Sequence, residues 1–199
     1  MIEGFDIRKA EHCDAEAILD ICVRTAAAGR DGRSLYSDHR YPGLIWALPY
    51  LTFNPEIAFV LTRLGQVVGY AVGVADTASF EAELESAWWP ELRRQLADRK
   101  PLASGDQYVL DYIKNPELSP SQIVSRFPAH LHINLLPEAQ GRRLGTTLLN
   151  QLLISLKAAG TDGVHLGINH TNEAVVNFYR KLGFDEIARL PPIIMAKTI

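Results

Sequence analysis

The alternation of apolar and polar side chains predicts a strand at residues 131–135, where Leu or Ile stands at every second position. Pro137 ends this strand, and a short loop follows. Leucines then recur at helical spacing, and Gly160 is a natural C-terminal stop. They are Leu144, Leu148, Leu149, Leu152, Leu153 and Leu156. The pattern therefore predicts a strand, a loop and a helix in direct succession.

The same two periodicities define the remaining elements. A strand at 163–168 and a short helix at 172–182 follow the leucine-rich helix, and a final hairpin surrounds Pro191-Pro192. The other predicted strands lie at 5–8, 56–63, 67–75, 185–190 and 193–198, and the other predicted helices lie at 14–28, 42–50 and 78–97. The order of elements predicts one mixed sheet with helices around it.

Residues 77–128 are predicted to form a largely helical insertion. Trp88-Trp89-Pro90 is expected to interrupt the helix at 78–97, and Ser119 or Ser121 is expected to cap a second, short helix. The tryptophan pair has two interpretations. It either packs the insertion onto the body of the protein or stays exposed as a lid or dimer contact.

Chain length and composition predict a single domain, residues 1–199. With 199 residues and 47% hydrophobic side chains, the chain can bury one substantial core. The net charge of −3 argues against nucleic acid as a partner. No apolar run approaches the roughly 18 residues that span a bilayer, and the first residues lack the features of a signal peptide. We expect a cytoplasmic monomer or homodimer without a membrane partner.

The loop before the leucine-rich helix is the strongest candidate for a ligand site. Arg142 and Arg143 add positive charge there, and Gly141 and Gly145 allow a ligand to approach the backbone closely. Backbone N–H groups at a helix start, together with the helix dipole, bind phosphate or pyrophosphate. An ordinary solvated helix start has the same composition, and the pattern alone leaves that alternative open.

Two motifs in this stretch resemble the GNAT N-acetyltransferase superfamily. The family's acetyl-CoA loop reads Gln/Arg-x-x-Gly-x-Gly/Ala, and this chain has Gln140-Gly141-Arg142-Arg143-Leu144-Gly145. The family's later signature is met by Asn172, Tyr179, Lys181, Gly183 and Phe184. Arg143 stands where the family usually has its first loop glycine. It would either crowd the pyrophosphate or, as a cation, hold it.

This resemblance implies an α/β (α+β) fold of three layers, with a central mixed sheet of six to seven strands and a helical insertion between strands three and four. It also implies direct transfer of an acetyl group from acetyl-CoA, as co-substrate, to a primary amine of a small molecule or peptide. A tighter resemblance covers nearly the whole chain. The motifs Leu35-Tyr36-Ser37-Asp38-His39 and Trp88-Trp89-Pro90 resemble acetyltransferase-like proteins related to the C-terminal region of O-GlcNAc hydrolases.

The resemblance also implies which residues contact the coenzyme. The strand before the loop would offer backbone groups to the pantetheine arm, and the loop with the first helical turn would take the pyrophosphate. Asn172 would contact the coenzyme or cap its own helix, or do both. The implied residues are Ile133, Asn134, Leu135, Gln140, Gly141, Arg142, Arg143, Leu144, Gly145, Thr146 and Asn172.

For catalysis, Tyr179 matches the family's general acid at the departing sulfur. A phenol with a pKa of about 10 is protonated at neutral pH and can donate to a thiolate. The same tyrosine also fits the apolar face of a helix, as a core residue.

The general base is less determined. The position of the acid that several family members use is occupied here by Gly167. His132 has a suitable ordinary pKa, although it also fits an ordinary sheet position. The alternatives are Asn134 (which could only orient a water), His170, and Asp38 or His39. The last two are also the expected substrate-binding residues, since the acceptor would enter beside their loop.

Two other hypotheses remain open at this point. Arg143 and Gly167 motivate a catalytically weak or inactive acetyl-CoA-binding module. The helix start alone would also suit a nucleotide-type phosphate ligand. A zinc site at His130, His132 and His165 is not expected, because no cysteine or acidic ligand stands at a metal-site spacing.

Overall fold

A computed structural model of the chain describes residues 4–189 and 191–199. The strands are β1 (Phe5–Lys9), β2 (Ala58–Arg63), β3 (Gln66–Val74), β4 (Ala129–Leu135), β5 (Gly163–Ile168), β6 (Asp185–Arg189) and β7 (Ile193–Thr198). In the described residues these seven strands form one sheet in the order β1-β2-β3-β4-β5-β7-β6. Neighbouring strands are antiparallel except β4 and β5, which are parallel. This is the predicted mixed sheet.

The helices lie between these strands. They are α1 (Ala15–Thr25), α2 (Tyr41–Trp46), α3 (Leu48–Phe53), α4 (Thr77–Glu83), α5 (Trp89–Gln95), α6 (Asp106–Lys114), α7 (Ser121–Val124), α8 (Leu144–Ala158) and α9 (Glu173–Lys181). The helices α4 to α7 form the insertion between β3 and β4, as predicted. The α/β class and the three-layer architecture are therefore confirmed.

The helices cover both faces of the sheet. Cys22 of α1 lies against Tyr70 of β3. A side chain at Gly73, three positions further along β3, would instead contact Leu152 of α8. Positions an odd number of residues apart on a strand point to opposite faces, so α1 and α8 lie on opposite sides. The six leucines of α8 are all buried in the core, and the helix that their spacing predicts is present.

Proline positions account for two differences in the first half of the chain. The single helix predicted at 42–50 is two helices, α2 and α3, which meet at Ala47. Pro49 has no N–H to donate and its ring crowds the preceding turn, so it starts a new helix instead of continuing the old one. Likewise, the strand predicted from residue 56 begins at Ala58, because Pro55–Ile57 forms a 3₁₀ turn.

The insertion differs more from the prediction. A π-helical turn at Leu84–Trp88 joins α4 to α5, so the tryptophans do not break the helix. The predicted serine cap of α7 is wrong, since Pro120 occupies the capping position and no side chain caps the helix. The helix α6 was not predicted from the sequence, because its amphipathic pattern is short and follows a polar loop.

The tryptophan pair packs the insertion onto the body, which is the first of the two interpretations. Trp89 is buried, and the indole N–H of Trp88 donates to the carbonyl of Leu44, 2.9 Å away. At the other end of the chain, the strand predicted at 185–190 ends at Arg189, and Leu190 lies outside the described residues.

Candidate active site

The two parallel strands at the centre of the sheet separate after a short pairing. β4 and β5 are in register only at Ala129 with Val164 and at His130 with His165. Beyond these pairs β4 continues to Leu135 without β5 beside it. Parallel strands elsewhere in a sheet bond along their shared length, so this divergence leaves an opening between the two strands.

The peptide groups of Ile133 and Leu135 face this opening. The N–H of Leu136 donates to the carbonyl of Val68 in the β3 ladder, and peptide directions alternate along a strand. The peptide groups of Asn134, two positions before Leu136, therefore point to β3 as well, where Asn134 is paired with Tyr70. The carbonyl of Leu135 accepts a hydrogen bond from Nε2 of Gln140, 2.9 Å away. Of the three strand residues expected to contact the pantetheine arm, Ile133 and Leu135 face the opening, and Leu135 does so with only its N–H group unengaged in the described residues.

The loop after β4 has the backbone that its motif requires, despite the missing glycine. Gly141 has a φ of 73°, and Arg143 has a φ of 58° at the N-cap of α8. Arg143 therefore holds the left-handed conformation for which a glycine is usually selected. The backbone at this position is therefore one that a glycine would also adopt without strain.

The first turn of α8 is open. The capping position makes no side-chain hydrogen bond, and no acidic residue lies in the first turn. In the described residues, the N–H groups of Leu144, Gly145 and Thr146 have no hydrogen-bond acceptor. Arg142 and Arg143 are exposed beside them. Free donors, a helix dipole and two cations together favour an anionic group at this point.

Exchanging Arg143 tests the loop conformation. We expect Arg143→Gly to raise the free energy of unfolding by up to about 1 kcal/mol, because glycine adopts a positive φ without steric cost. Arg143→Val should lower it by about 1 to 2 kcal/mol, since a β-branched side chain is strained there. Urea unfolding of both variants measures the difference. A valine variant as stable as the wild type would contradict the positive φ.

Asn172 caps its helix and also joins two distant loops. Its Oδ1 accepts from the N–H of Val175 at 3.4 Å, and its Nδ2 donates to the carbonyl of Ala28 at 3.2 Å. The predicted N-cap is therefore present. Both polar groups of the side chain are engaged within the protein, and they fix the end of α1 against the turn between β5 and α9.

Tyr179 is a buried tyrosine whose hydroxyl makes no hydrogen bond to the residues that the structure describes. Its ring packs between Phe178 and Phe184, with centroid distances of 5.2 Å to each. The hydroxyl has no hydrogen-bond partner among residues 4–189 and 191–199, and since no fully buried side-chain oxygen there lacks a partner, the small exposed part of Tyr179 includes this oxygen. Burial raises the pKa of Tyr179 above its ordinary value. The phenol therefore keeps its proton throughout the physiological range, and no described residue accepts that proton.

His132 is linked to Tyr70 and Asn134 on the α1 face of the sheet. Tyr70 Oη lies 3.1 Å from Nδ1 of His132 and accepts from Nδ2 of Asn134 at 2.9 Å. Its own proton points either to His132 or to the adjacent thiol of Cys22. With the hydroxyl turned to Cys22, Nδ1 of His132 carries the ring proton and Nε2 can accept one. Rotation of one buried hydroxyl thus decides whether His132 can act as a base.

Burial lowers the pKa of His132 to about 4, so the ring is neutral at pH 7. His130 is also neutral, but its ring is fully occupied. Thr77 Oγ1 donates to the carbonyl of Pro128 at 2.6 Å and accepts from Nδ1 of His130 at 2.8 Å. Nε2 of His130 then accepts from Tyr50 Oη at 2.7 Å. His132 is consequently the better candidate of the two for proton transfer.

The other candidate bases lie in different surroundings. Gly167 is close to the final hairpin, and an added Cβ would meet Pro192 at 3.1 Å. The space that an acidic side chain would need at this position is therefore partly filled. His170 is exposed in the turn after β5.

Asp38 and His39 belong to a separate cavity. It has a volume of about 550 Å³ and lies between the loop that joins α1 to α2 and the segment that precedes α6. Its lining residues are Ser37, Asp38, His39, Tyr41, Asp98, Arg99, Lys100 and Leu102. The sequence predicted Asp38 and His39, which lie in the first wall of this cavity, but not the second wall. Only the fold brings residues 98–102 to it, and their charged run resembles an ordinary solvated surface.

Two features are absent from the described part of the chain, a metal-binding cluster and a helix that could span a membrane. No group of three or more His, Cys, Asp or Glu side chains there could hold a metal ion. None of the described helices combines the length and apolar character that crossing a membrane requires.

Comparison with known proteins identifies one family model and several similar proteins. The model of the acetyltransferase (GNAT) family matches residues 114–184. Protein O-GlcNAcase of Rattus norvegicus is 24% identical over 143 residues, which are 70% of this chain and 16% of that protein. The chain thus spans about a sixth of the length of this curated relative.

Two solved structures match nearly the whole chain. A crystal structure of SsHAT is 40% identical, with a TM-score of 0.90 and coverage of 98% of both chains. A putative acetyltransferase from Salmonella typhimurium, solved with its cofactor acetyl-CoA, is 17% identical, with a TM-score of 0.57 and coverage of 98% of this chain and 94% of that one. At 17% identity, the similarity to the Salmonella typhimurium protein shows a shared fold.

The mixed sheet with its diverging strands and the open start of α8 define a GNAT-type N-acetyltransferase. The chain belongs to the acetyltransferase (GNAT) family. The resemblance to the acetyltransferase-like region of O-GlcNAc hydrolases is likewise confirmed.

Proposed function

We propose that the protein transfers the acetyl group of acetyl-CoA directly to a primary amine in a ternary complex. The observation that carries this proposal is the opening between β4 and β5 next to the uncapped start of α8. An extended thioester arm fits an unpaired strand edge, and a pyrophosphate fits a helix start. The cytoplasm is our proposed location.

In this proposal the chain holds the co-substrate mainly by its backbone. The N–H groups of Leu144, Gly145 and Thr146 would bind the pyrophosphate, with Arg142 and Arg143 adding charge. The strand edge at Ile133 and Leu135 would pair with the amide groups of the pantetheine arm. An N–H group on the same edge would polarise the thioester carbonyl, whose oxygen becomes more negative as the amine attacks.

The chemical step forms one carbon–nitrogen bond and breaks one carbon–sulfur bond. The amine nitrogen attacks the thioester carbon, and His132 would take the proton that the nitrogen loses. Tyr179 would donate its proton to the departing sulfur, which leaves as the thiol of CoA. The products are an amide and CoA, and the acceptor would enter between the loop that joins α1 to α2 and the β6–β7 hairpin.

Release of CoA thiol is the direct assay. We expect release that depends on both acetyl-CoA and an amine acceptor, in a screen of amino sugars, amino acids, polyamines and peptides. Acetyl-CoA alone should stabilise the protein by about 2.7 kcal/mol at a hundred times its Kd. A protein that no acyl-CoA stabilises would contradict the proposal.

Gly145→Ala separates binding from stability. An added Cβ at position 145 would lie 3.7 Å from Phe178 and 3.9 Å from Leu135, which are ordinary contacts. The variant should therefore fold as well as the wild type, and alanine's helix propensity should stabilise it by up to about 1 kcal/mol. The new methyl group would stand between the helix start and the pyrophosphate. We expect the Kd for acetyl-CoA, measured by calorimetry, to rise at least about tenfold.

The matched control is Gln151→Ala, an exposed position in the middle of α8. Its Kd for acetyl-CoA should equal that of the wild type. If Gly145→Ala and Gln151→Ala bind equally well, the pyrophosphate does not lie at the start of α8.

A second candidate function is coenzyme binding with weak or no transfer. It is favoured by Gly167, which leaves no carboxylate on β5 and lies against Pro192, and by the low pKa of His132, which makes its imidazole a weak base. Both functions predict stabilisation by acetyl-CoA. Release of CoA that requires an acceptor occurs only if transfer takes place.

A further inference from the structure

We infer that the cavity beside Asp38 and His39 binds an oxyanion, a carboxylate or a phosphate, carried by the amine that receives the acetyl group. This inference rests on the proposed function and names the chemical class of its acceptor. The cavity is an open cleft with a volume of about 550 Å³, which lies in the range of small-molecule sites. Its walls are residues 37–41 and residues 98–102.

The charges that face the cavity without a partner favour an anion. Asp38 is neutralised by Arg40, which holds it with two side-chain hydrogen bonds of 2.8 and 3.1 Å. Arg99, Lys100 and Asp98 form no ion pair with any residue that the structure describes. Two cations therefore stand against one carboxylate. A guanidinium beside an ammonium is an arrangement that binds carboxylate or phosphate oxygens well.

A buried hydroxyl at the cavity adds an uncharged donor. Tyr41 lines the cavity although only 1% of the residue is exposed. Its hydroxyl has no hydrogen-bond partner in the described residues, yet no fully buried side-chain oxygen there lacks a partner. The small exposed part of Tyr41 must therefore include the hydroxyl oxygen. The tyrosine thus offers its O–H to whatever occupies the cavity.

The two walls are held together before any ligand arrives. Asp106, which is fully buried, accepts hydrogen bonds from the N–H and Oγ of Ser37 and from the N–H groups of Leu102 and Ala103, at 2.6 to 2.9 Å. The N–H of Gly105 donates to the carbonyl of Leu35. A preformed cavity loses less entropy on binding than a flexible one.

The cavity lies on the same side of the sheet as His132. The ring of Tyr36 packs directly on Gly105, and Tyr36 also packs against the buried core cluster that contains Cys22. Cys22 in turn lies against Tyr70, which bonds His132. An acceptor anchored in the cavity by its anion would therefore need a spacer that carries its amine to His132 on the same face of the sheet.

The binding experiment uses protein saturated with acetyl-CoA, so that the start of α8 is already occupied. Ethanolamine is compared with O-phosphoethanolamine, and β-alaninamide with β-alanine, by calorimetry at constant ionic strength. We expect the anionic member of at least one pair to bind about tenfold more tightly. The double variant Arg99→Ala/Lys100→Ala should lose this preference, and Tyr41→Phe should reduce it. Arg94→Ala, an exposed arginine paired with Glu91 on α5, is the control and should keep it.

The turnover experiment uses the same pairs, together with longer spacers between the amine and the anion. The KM of the anionic member should be about tenfold lower in the wild type and in Arg94→Ala, and equal to that of its neutral partner in the double variant. Equal binding within every pair, or a preference that survives the double substitution, overturns the inference.

Two further outcomes separate this inference from the proposed function. Charge-dependent binding without acceptor-dependent CoA release would support the cavity and refute the transfer. Acceptor-dependent CoA release without any preference for the anionic acceptor would support the transfer and refute the proposed role of the cavity. Inorganic phosphate is the third arm, and if it binds as tightly as O-phosphoethanolamine without inhibiting turnover, the cavity is an ion site only and the inference fails.

Discussion

Tyr179→Phe should lower acceptor-dependent release of CoA by about a hundredfold or more, the usual contribution of a positioned general acid. The kcat should fall, while the Kd for acetyl-CoA should stay within about twofold of the wild type. We expect the fall in kcat because the Tyr179 hydroxyl has no hydrogen-bond partner among the described residues, so no competing bond holds the proton that it would donate to the sulfur. Stopped assays of thiol release at saturating acetyl-CoA measure the loss.

Stability provides the control for this substitution. Phenylalanine fills the same space between Phe178 and Phe184 and removes only an oxygen that bonds nothing described. We therefore expect the free energy of unfolding to change by less than about 0.5 kcal/mol, since no buried group is left without its partner. A large loss of stability would assign the hydroxyl a structural role. Unchanged turnover in a stable variant would remove Tyr179 from the mechanism.

The pH dependence gives a second test. Because burial raises the pKa of Tyr179, the wild-type rate should show no fall from loss of this proton between pH 7 and pH 10. An exposed phenol with an ordinary pKa of about 10 would begin to lose activity over that interval. A fall in the rate that disappears in Tyr179→Phe would contradict the buried environment.

The sequence predicted the architecture well because the signals were local and strong. Six leucines at helical spacing and the period-2 pattern of β4 determine an element each, whatever surrounds them. The open loop between them was also predictable, since it needs only a strand end, a glycine-containing loop and a helix start. The positive φ of Arg143 was not, because arginine rarely adopts it and only the course of the surrounding chain imposes it.

The candidate site was predictable only in part, for a physical reason. Tyr179 and His132 were found because a motif or a strand pattern marked them. Their hydroxyl and ring environments depend on residues far away in the chain, and Tyr70 lies 62 positions from His132. The second wall of the cavity, at Arg99 and Lys100, has no local signal at all. A surface charge becomes part of a site only when the fold places a partner wall opposite it.

Asp106→Ala should cause a large loss of stability, about 3 kcal/mol in the free energy of unfolding. The carboxylate joins the start of the α6 helix to Ser37, 69 positions away in the chain, and accepts four hydrogen bonds there. Alanine would remove the acceptor that the partly buried N–H groups of the two segments share, and hydrogen bonds to a charged group each contribute about 1.5 to 3 kcal/mol. Urea unfolding at pH 7 should show a midpoint lowered by about 1 M or more.

The matched control is Asp111→Ala on the same helix. Its carboxylate is exposed and accepts from Gln107 at 2.7 Å. An exposed acid of this kind changes stability by no more than about 0.5 kcal/mol. Asp106→Asn should lie between the two, since one amide oxygen still accepts but its NH₂ group faces the donors of Leu102 and Ala103. Equal free energies of unfolding for Asp106→Ala and Asp111→Ala would show that the hydrogen bonds of Asp106 between the two walls do not stabilise the protein.

The effect of Asp106 should also depend on pH in a defined direction. Burial alone would raise the pKa of this carboxyl, but the hydrogen bonds from Ser37, Leu102 and Ala103 hold it below its ordinary value. A carboxylate whose pKa is lower in the folded state stabilises the protein fully above its unfolded pKa of about 4. That contribution is lost as the pH falls through the folded pKa. The difference between wild type and Asp106→Ala should therefore be constant from pH 6 to 8 and shrink below about pH 4, and a difference that grows on acidification would refute this account of the two walls.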